Sequence, residues 1–329
     1  MTSLRWGILG PGRIAPRLVR AVGGCARGEL VAVASRDVDR AVAFAARHDI
    51  PQAFGSYDAL LATPDVDVVY VSLPNHLHAE WTIRALEAGK HVLCEKPLAL
   101  SVDQVDAVIA ASARAGRIAV EGFMYLHHPQ ILRAVELARS GALGRLELVN
   151  GTFSFYLTHP GDPRVDPSMG GGSLWDVGCY PVSLARRIAG EEPDRVGAFA
   201  RFDERGVDRT FIGQLHFPGG LLAQFDSGFA APDRERVEIV GGDATLVLDS
   251  PFLPAPDGPP PSLTMWRGRD GTAIDVASVD QYRAEVEDLT AAILDGTPPR
   301  IHLAFSRGTI GTLVDLDRAA RANAGLPAG

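Results

Sequence analysis

Cysteine is scarce, with Cys25, Cys94 and Cys179 alone among 329 residues. Three is an odd number, and no two of them form a Cys-x-x-Cys pair. A disulfide framework and a cysteine zinc site are therefore excluded, and a reducing compartment is expected. No uninterrupted apolar run reaches the roughly 18 residues of a membrane-spanning helix. The start of the chain has neither the basic region nor the apolar run of a secretory signal, so a cytoplasmic protein without membrane attachment is expected. Basic residues are outnumbered, and the net charge of −8 offers no general attraction for nucleic acid. Neither a Gly-x-Ser-x-Gly elbow nor a Gly-x-x-x-x-Gly-Lys-Ser/Thr phosphate loop is present.

Apolar residues make up 46% of the chain, enough to bury a large core across two domains. Up to Gly122 short apolar strands alternate with helices. The strands fall at Leu4–Leu9, Leu30–Ala34, Asp67–Ser72, His91–Cys94 and Ile118–Glu121. Strands of this kind imply a parallel sheet covered on both faces, with a ligand crevice at their carboxyl ends. After Gly122 the pattern changes. Candidate strands at 146–156, 196–203, 209–217, 221–229, 235–240 and 244–249 are separated by turn pairs such as Gly219-Gly220 and Gly241-Gly242. Helices are expected at 131–140, 282–294 and 306–323. The expected fold class is α/β: a Rossmann domain over 1–122, then an α/β domain with an open, predominantly antiparallel sheet over 123–329. The last helix is expected to pack back on the first domain. Pro251 to Pro261 is read as a surface loop or rigid connector.

Directly after the first strand, Gly10-Pro-Gly12-Arg13-Ile14-Ala15 opens a helix. A glycine turn from strand into helix points backbone N–H groups and the positive helix end at a diphosphate. The second strand ends at Ser35-Arg36, about 25 residues after Gly10. A carboxylate there would accept both ribose hydroxyls and favour NAD(H). A hydroxyl beside a guanidinium suits a 2′-phosphate instead, so NADP(H) is the expected cofactor and NAD(H) the alternative. Asp37 competes for the ribose but is read as the cap of the following helix.

Three further segments can carry chemistry. Leu73-Pro74-Asn75-His76-Leu77-His78 follows the fourth strand, and Leu73, Asn75 and His78 are assigned to the cofactor crevice. His76 and His78 have the spacing of a metal pair, yet no third ligand is evident, so no metal is expected. Glu95-Lys96-Pro97 follows the fifth strand. The Lys96 ammonium is placed to bind the reacting hydroxyl or carbonyl oxygen, and Glu95 to support it; both are also assigned to the cofactor site. Gly170-Gly-Gly-Ser-Leu-Trp-Asp176-Val-Gly-Cys-Tyr180 lies in the second domain and is expected to reach the first two across a cleft. If the glycines lead into a helix, Asp176 and Tyr180 stand one turn apart on one face. Tyr180 then exchanges a proton with the substrate oxygen, and Asp176 orients a neighbouring hydroxyl. A core aromatic and a helix cap are the competing roles. Arg164 is a candidate to close over substrate. His127-His128-Pro129 reads either as cleft wall or as helix start.

These segments, in this order, resemble the glucose–fructose oxidoreductase / inositol dehydrogenase / rhizopine catabolism (Gfo/Idh/MocA) family over essentially the whole chain. The resemblance implies hydride transfer between NAD(P) and a sugar, polyol or similar small substrate. It also implies Lys96 as the catalytic lysine, Asp176 as the substrate-orienting aspartate, and a homodimer or homotetramer formed through the open sheet. Tyr180, where many inositol-dehydrogenase-like members have histidine, resembles the branch of dihydrodiol dehydrogenases, NADP-linked D-xylose dehydrogenases and sugar 3-ketoreductases. The expected activity is oxidation of an aldose at C1 or of a dihydrodiol. Reduction of a keto-sugar, including a nucleotide-linked deoxysugar, is the alternative. A catalytically silent NAD(P)-binding regulator and a non-redox sugar enzyme that keeps its nicotinamide are the readings from other classes.

Overall fold

The computed structural model describes residues 3–159, 161–255 and 258–327. The chain divides into two compact units. One comprises the residues up to Met124 together with Asp280–Arg307; the other comprises Tyr125–Val279 together with the chain from Gly308 on.

The first unit alternates strand and helix as the apolar runs require: β1 (Leu4–Leu9), α1 (Ala15–Gly24), β2 (Gly28–Ala34), α2 (Val38–Arg47), β3 (Gln52–Phe54), α3 (Tyr57–Ala62), β4 (Val68–Val71), α4 (His78–Glu87), β5 (His91–Glu95), α5 (Val102–Ala115) and β6 (Ala119–Gly122). The six strands form one sheet in the order β3-β2-β1-β4-β5-β6, paired in parallel throughout. Strand order reverses between β1 and β4, which opens a crevice at their carboxyl ends. Trp6, Ile8, Val69 and Val92 are fully buried, as expected for a sheet covered on both faces.

In the second unit α6 (Pro129–Arg139) precedes β7 (Leu146–Tyr156), and α7 (Cys179–Ala189) precedes β8 (Arg195–Phe202), β9 (Asp208–His216), β10 (Leu222–Gly228), β11 (Ala230–Gly241), β12 (Thr245–Asp249), β13 (Leu263–Arg267) and β14 (Asp270–Ala273). They form an eight-stranded sheet in the order β14-β13-β12-β11-β7-β10-β9-β8. Every pairing is antiparallel except that of β7 with β10. β14 escapes the sequence pattern because all four of its residues are exposed, so no alternation marks it. Residues 256 and 257 of the proline-rich segment lie outside the described residues.

The last two helices are α8 (Gln281–Asp295) and α9 (Leu303–Asn323). α8 belongs wholly to the first unit, whereas α9 starts there and passes into the second. α8 packs on α1: Arg17 lies over the Tyr282 ring at 5.4 Å, and Arg20 meets Asp280 at 3.3 Å. Arg27 donates two hydrogen bonds to Asp295 at 2.8 and 2.7 Å. Val286 and Leu289 bury the helix face. Truncating Leu289 to alanine is therefore expected to cost about 2–5 kcal/mol of unfolding free energy. Urea denaturation checks this; a change below 1 kcal/mol would mean that α8 is peripheral.

Candidate active site

At the end of β1, Gly10 has φ +88°, and a Cβ there would stand 2.8 Å from Leu73 Cδ2 and 3.1 Å from the Ser72 carbonyl oxygen. The Ser72 hydroxyl donates to the Gly10 carbonyl at 2.7 Å. The glycine turn is thus locked to the end of β4, and Leu73 reaches the crevice as packing against Gly10. Gly12 is different. A Cβ on it would touch only the Ser72 carbonyl oxygen, at 3.6 Å. Open space at that backbone suits the close approach of a diphosphate. α1 follows with Ala15 buried, no side-chain cap and no acidic residue in its first turn. Its positive end therefore meets no carboxylate from its own first turn. Ile14 is half-buried and Arg13 exposed on this turn.

The end of β2 decides between the two ribose chemistries. Asp37 Oδ1 accepts from the N–H groups of Asp39 at 3.0 Å and Arg40 at 3.2 Å, capping α2 as expected. Ser35 is buried and accepts from the Asp37 N–H at 3.2 Å; Arg36 is exposed. Arg40, which sequence reasoning missed, donates to the Pro11 carbonyl oxygen at 3.2 Å. A second guanidinium is thereby brought back onto the glycine turn. The available signal was its place four residues after Arg36 on a helical start.

After β4, Asn75 opens a short 3₁₀ turn, Asn75–Leu77, and His78 begins α4. His78 was expected to line the cofactor. It is instead 1% exposed, with Nδ1 2.7 Å from the Pro97 carbonyl oxygen and Nε2 2.7 Å from the Leu73 carbonyl oxygen. Burial lowers its pKa to about 4, so the ring is neutral at pH 7. Its ring joins the two rim segments through their backbone carbonyl oxygens.

Lys96 is half-buried where β5 ends, in a cis peptide with Pro97. The next segment is anchored by the Leu98 N–H, which donates to buried Glu121 at 2.8 Å. Behind Lys96, the Tyr70 hydroxyl donates to Glu95 Oε1. Burial together with the Glu95 charge pushes the Tyr70 hydroxyl and the Glu285 carboxyl of α8 well up.

In the second unit, Arg164 Nε and Nη2 donate to the two carboxylate oxygens of buried Asp162, both at 2.9 Å. Its Nη1 stands 3.6 Å from Asp176 Oδ2, and the guanidinium lies 5.3 Å from the centre of the Phe155 ring. Expected to close over substrate, Arg164 faces the protein's own carboxylates and steadies Asp176. Leu174–Gly178 is a π-helical turn that leads into α7, not the plain α-helix expected. Asp176 and Tyr180 thus straddle the junction of two helical pitches, an arrangement common at functional sites. Tyr180 is 4% exposed, its ring 5.2 Å from Tyr125, 5.3 Å from Phe153 and 5.4 Å from Phe252. Both faces of the tyrosine reading survive here: the ring is walled by aromatics, and the residue starts α7 next to Asp176. His128 resolves as a helix start, because its Nδ1 accepts from the Gln130 N–H at 3.2 Å. Among the described residues no group of three or more His, Cys, Asp or Glu is placed to hold a metal. No helix among them is long and apolar enough to cross a membrane.

A switch-point crevice with a glycine turn, an uncapped helix start and guanidinium groups at the second strand defines a dinucleotide-binding domain. Residues 4–123 match the family model described as an oxidoreductase family with an NAD-binding Rossmann fold, and residues 131–247 match the Gfo/Idh/MocA C-terminal domain. An uncharacterized oxidoreductase of Rhizobium meliloti is 41% identical over 97% of this chain and 98% of its own. A D-xylose 1-dehydrogenase (NADP(+)) of Haloferax volcanii is 38% identical over 98% and 99%. The solved structure of a 3-ketoreductase from Actinomadura kijaniata, in complex with NADP and TDP-benzene, superimposes with a TM-score of 0.91 at 31% identity, covering 97% of this chain and 98% of that one. The chain belongs to the Gfo/Idh/MocA family of oxidoreductases, and its first unit is the NAD(P)-binding Rossmann domain.

His78 generates a pH prediction. A histidine whose folded pKa is lowered contributes stability that is present above its unfolded value of 6.5 and lost as pH falls toward about 4. Urea midpoints measured from pH 7.5 to 4.5 should fall with decreasing pH, and less steeply for His78→Gln. Identical slopes would remove His78 from this account.

Proposed function

We propose that the protein is an NADP(H)-dependent oxidoreductase that interconverts CH–OH and C=O on a sugar or related cyclic polyol, oxidising an aldose at C1 or a dihydrodiol. The observation that carries the cofactor half is the commitment of Asp37 to capping α2, while Arg36 and Arg40 bring guanidinium groups to the same strand end and the glycine turn. Those guanidinium groups are suited to a 2′-phosphate, while Asp37 Oδ1 is taken up by the cap of α2. The Haloferax relative's name, with its D-xylose and NADP(+), and the NADP complex of the Actinomadura ketoreductase support the reading.

The residues assigned to hold the dinucleotide are Gly10, Gly12, Arg13, Ile14, Ser35, Arg36, Leu73 and Asn75. His78 acts beneath them and Glu95 behind Lys96. When bound, the cofactor supplies or accepts the hydride. Lys96 holds the reacting oxygen and stabilises negative charge on it. Tyr180 takes the hydroxyl proton in oxidation and returns it in reduction. Asp176, held by Arg164, orients a neighbouring hydroxyl. Reduction of a keto-sugar is the second reading, favoured by the close superposition on a 3-ketoreductase.

Titration with NADPH and NADH tests the cofactor assignment. A preference for NADPH of at least tenfold, about 1.4 kcal/mol, is expected. Equal or tighter binding of NADH would sink it. In a screen of aldoses, dihydrodiols and keto-sugars, Tyr180→Phe should lower kcat by about 10²–10⁴ with NADPH affinity unchanged. Unchanged turnover in that variant would remove the tyrosine from the chemistry.

A second copy of the chain is the expected partner. Phe199, Ile212, Leu222 and Tyr156 are 49–68% exposed, and the strand registers put them on one face of the eight-stranded sheet. Sedimentation should give a dimer or tetramer, and Phe199→Glu should shift it toward monomer. A monomeric wild type at micromolar concentration would refute the assignment.

A further inference from the structure

One buried carboxylate in the second unit has no place in the scheme above. Asp208, the first residue of β9, is 4% exposed. Its Oδ2 accepts from the Ser173 hydroxyl and, at 2.9 Å, from the Leu174 N–H. The Ser173 hydroxyl also lies 3.1 Å from that of Ser227 on β10. Both donors sit at the entrance to the π-helical turn Leu174–Gly178, which carries Asp176 and runs directly into Tyr180. Oδ1 meets the last of the three glycines. A Cβ on Gly172 would stand 2.2 Å from it, and the φ of +132° at that glycine is itself closed to ordinary side chains.

A single carboxylate therefore accepts from the first amide of the turn and from the hydroxyl that precedes it, and it fills the space where a Cβ on Gly172 would lie. Ser173 stands at the cap position of this helix start but makes no side-chain cap, and Asp208 of β9 supplies the acceptor instead. Gly172 thus has a defined purpose, since only a residue without Cβ lets the carboxylate reach the turn.

We propose that Asp208 is a positioning residue for the reaction, which sets the π-helical turn and through it the placement of Asp176 and Tyr180. The proposal rests on the functional reading above for the roles of those two residues. Burial raises the Asp208 carboxyl to about 7, opposed by its two donors. The other charge acting on it is Asp317 of α9, which is paired with Arg321 at 2.8 Å. A carboxyl raised in the folded state stabilises that state below its unfolded value of 3.8, and the contribution is lost as pH rises through about 7. The geometry of the turn is then coupled to proton occupancy in the neutral range.

Amide hydrogen exchange on the intact protein reads the turn without any substrate. Asp208→Ala should lower protection of the 170–180 peptide tenfold or more while leaving β1, α1 and NADPH affinity within twofold. On a sugar that the wild type turns over, it should cut kcat more than it raises KM. Asp208→Asn keeps an acceptor for the Leu174 N–H and cannot ionise. It should restore protection and abolish the kcat inflection near pH 7. Equal protection in wild type and Asp208→Ala, or an unchanged pH profile in Asp208→Asn, overturns the proposal. Should Asp208→Ala fail to fold, Ser173→Ala takes its place, with a threefold loss of protection confined to 170–180 expected and no loss overturning it. If the wild type turns over no sugar, the functional reading fails, and the exchange data alone decide Asp208.

Discussion

Gly10 turns the chain where β1 ends, and it does so in van der Waals contact with Leu73 and the Ser72 carbonyl at the end of β4. Those two strands are neighbours only because the sheet order reverses there. The turn, the helix start that follows it and the rim beyond β4 are consequently one construction. Ser72 ties the turn to β4, and His78 joins the Leu73 carbonyl to the segment after Lys96. A displacement at any of these points is passed to the others, since the backbone groups they share are buried.

The second unit solves a related problem with charge. Two carboxylates, Asp162 and Asp208, are almost wholly buried on either side of the glycine triplet. One is neutralised by a forked pair with Arg164, the other by burial that favours its protonated form. Between them the backbone runs through conformations that only glycine adopts cheaply, then into a π turn. The local cost is offset by hydrogen bonds from outside the helix, which is how strained segments persist at functional sites.

Much of this was legible beforehand. Apolar runs of four to seven residues set the parallel sheet, and the capping of α2 by Asp37 followed from its place before Val38. The glycine turn and the lysine before proline were readable as local patterns. What escaped depends on partners far away in the chain. Arg40 is an ordinary surface arginine until α2 brings it to Pro11. Nothing near His78 says that both nitrogens will meet backbone oxygens, and nothing near Arg164 says that it will turn inward to Asp176. A π turn costs one residue of register, which a helical period cannot reveal. Asp208, 35 residues beyond Ser173, begins a strand whose other positions alternate normally.

The composition of the first unit from two separated stretches has a consequence for how the protein is made. Synthesis proceeds from the N-terminus, and domains generally fold as their residues emerge. Here β1 to β6 leave the ribosome long before α8, whose Tyr282, Val286 and Leu289 cover that unit and whose Glu285 lies behind Glu95. Until residue 307 has been translated, the nascent sheet carries an uncovered apolar flank beside α1. The larger stretch of the second unit, Tyr125–Val279, must be threaded out in the interval. The dinucleotide fold is thus the first to begin and among the last to be completed, and a chaperone that shields that flank would act on the chain at its most vulnerable stage.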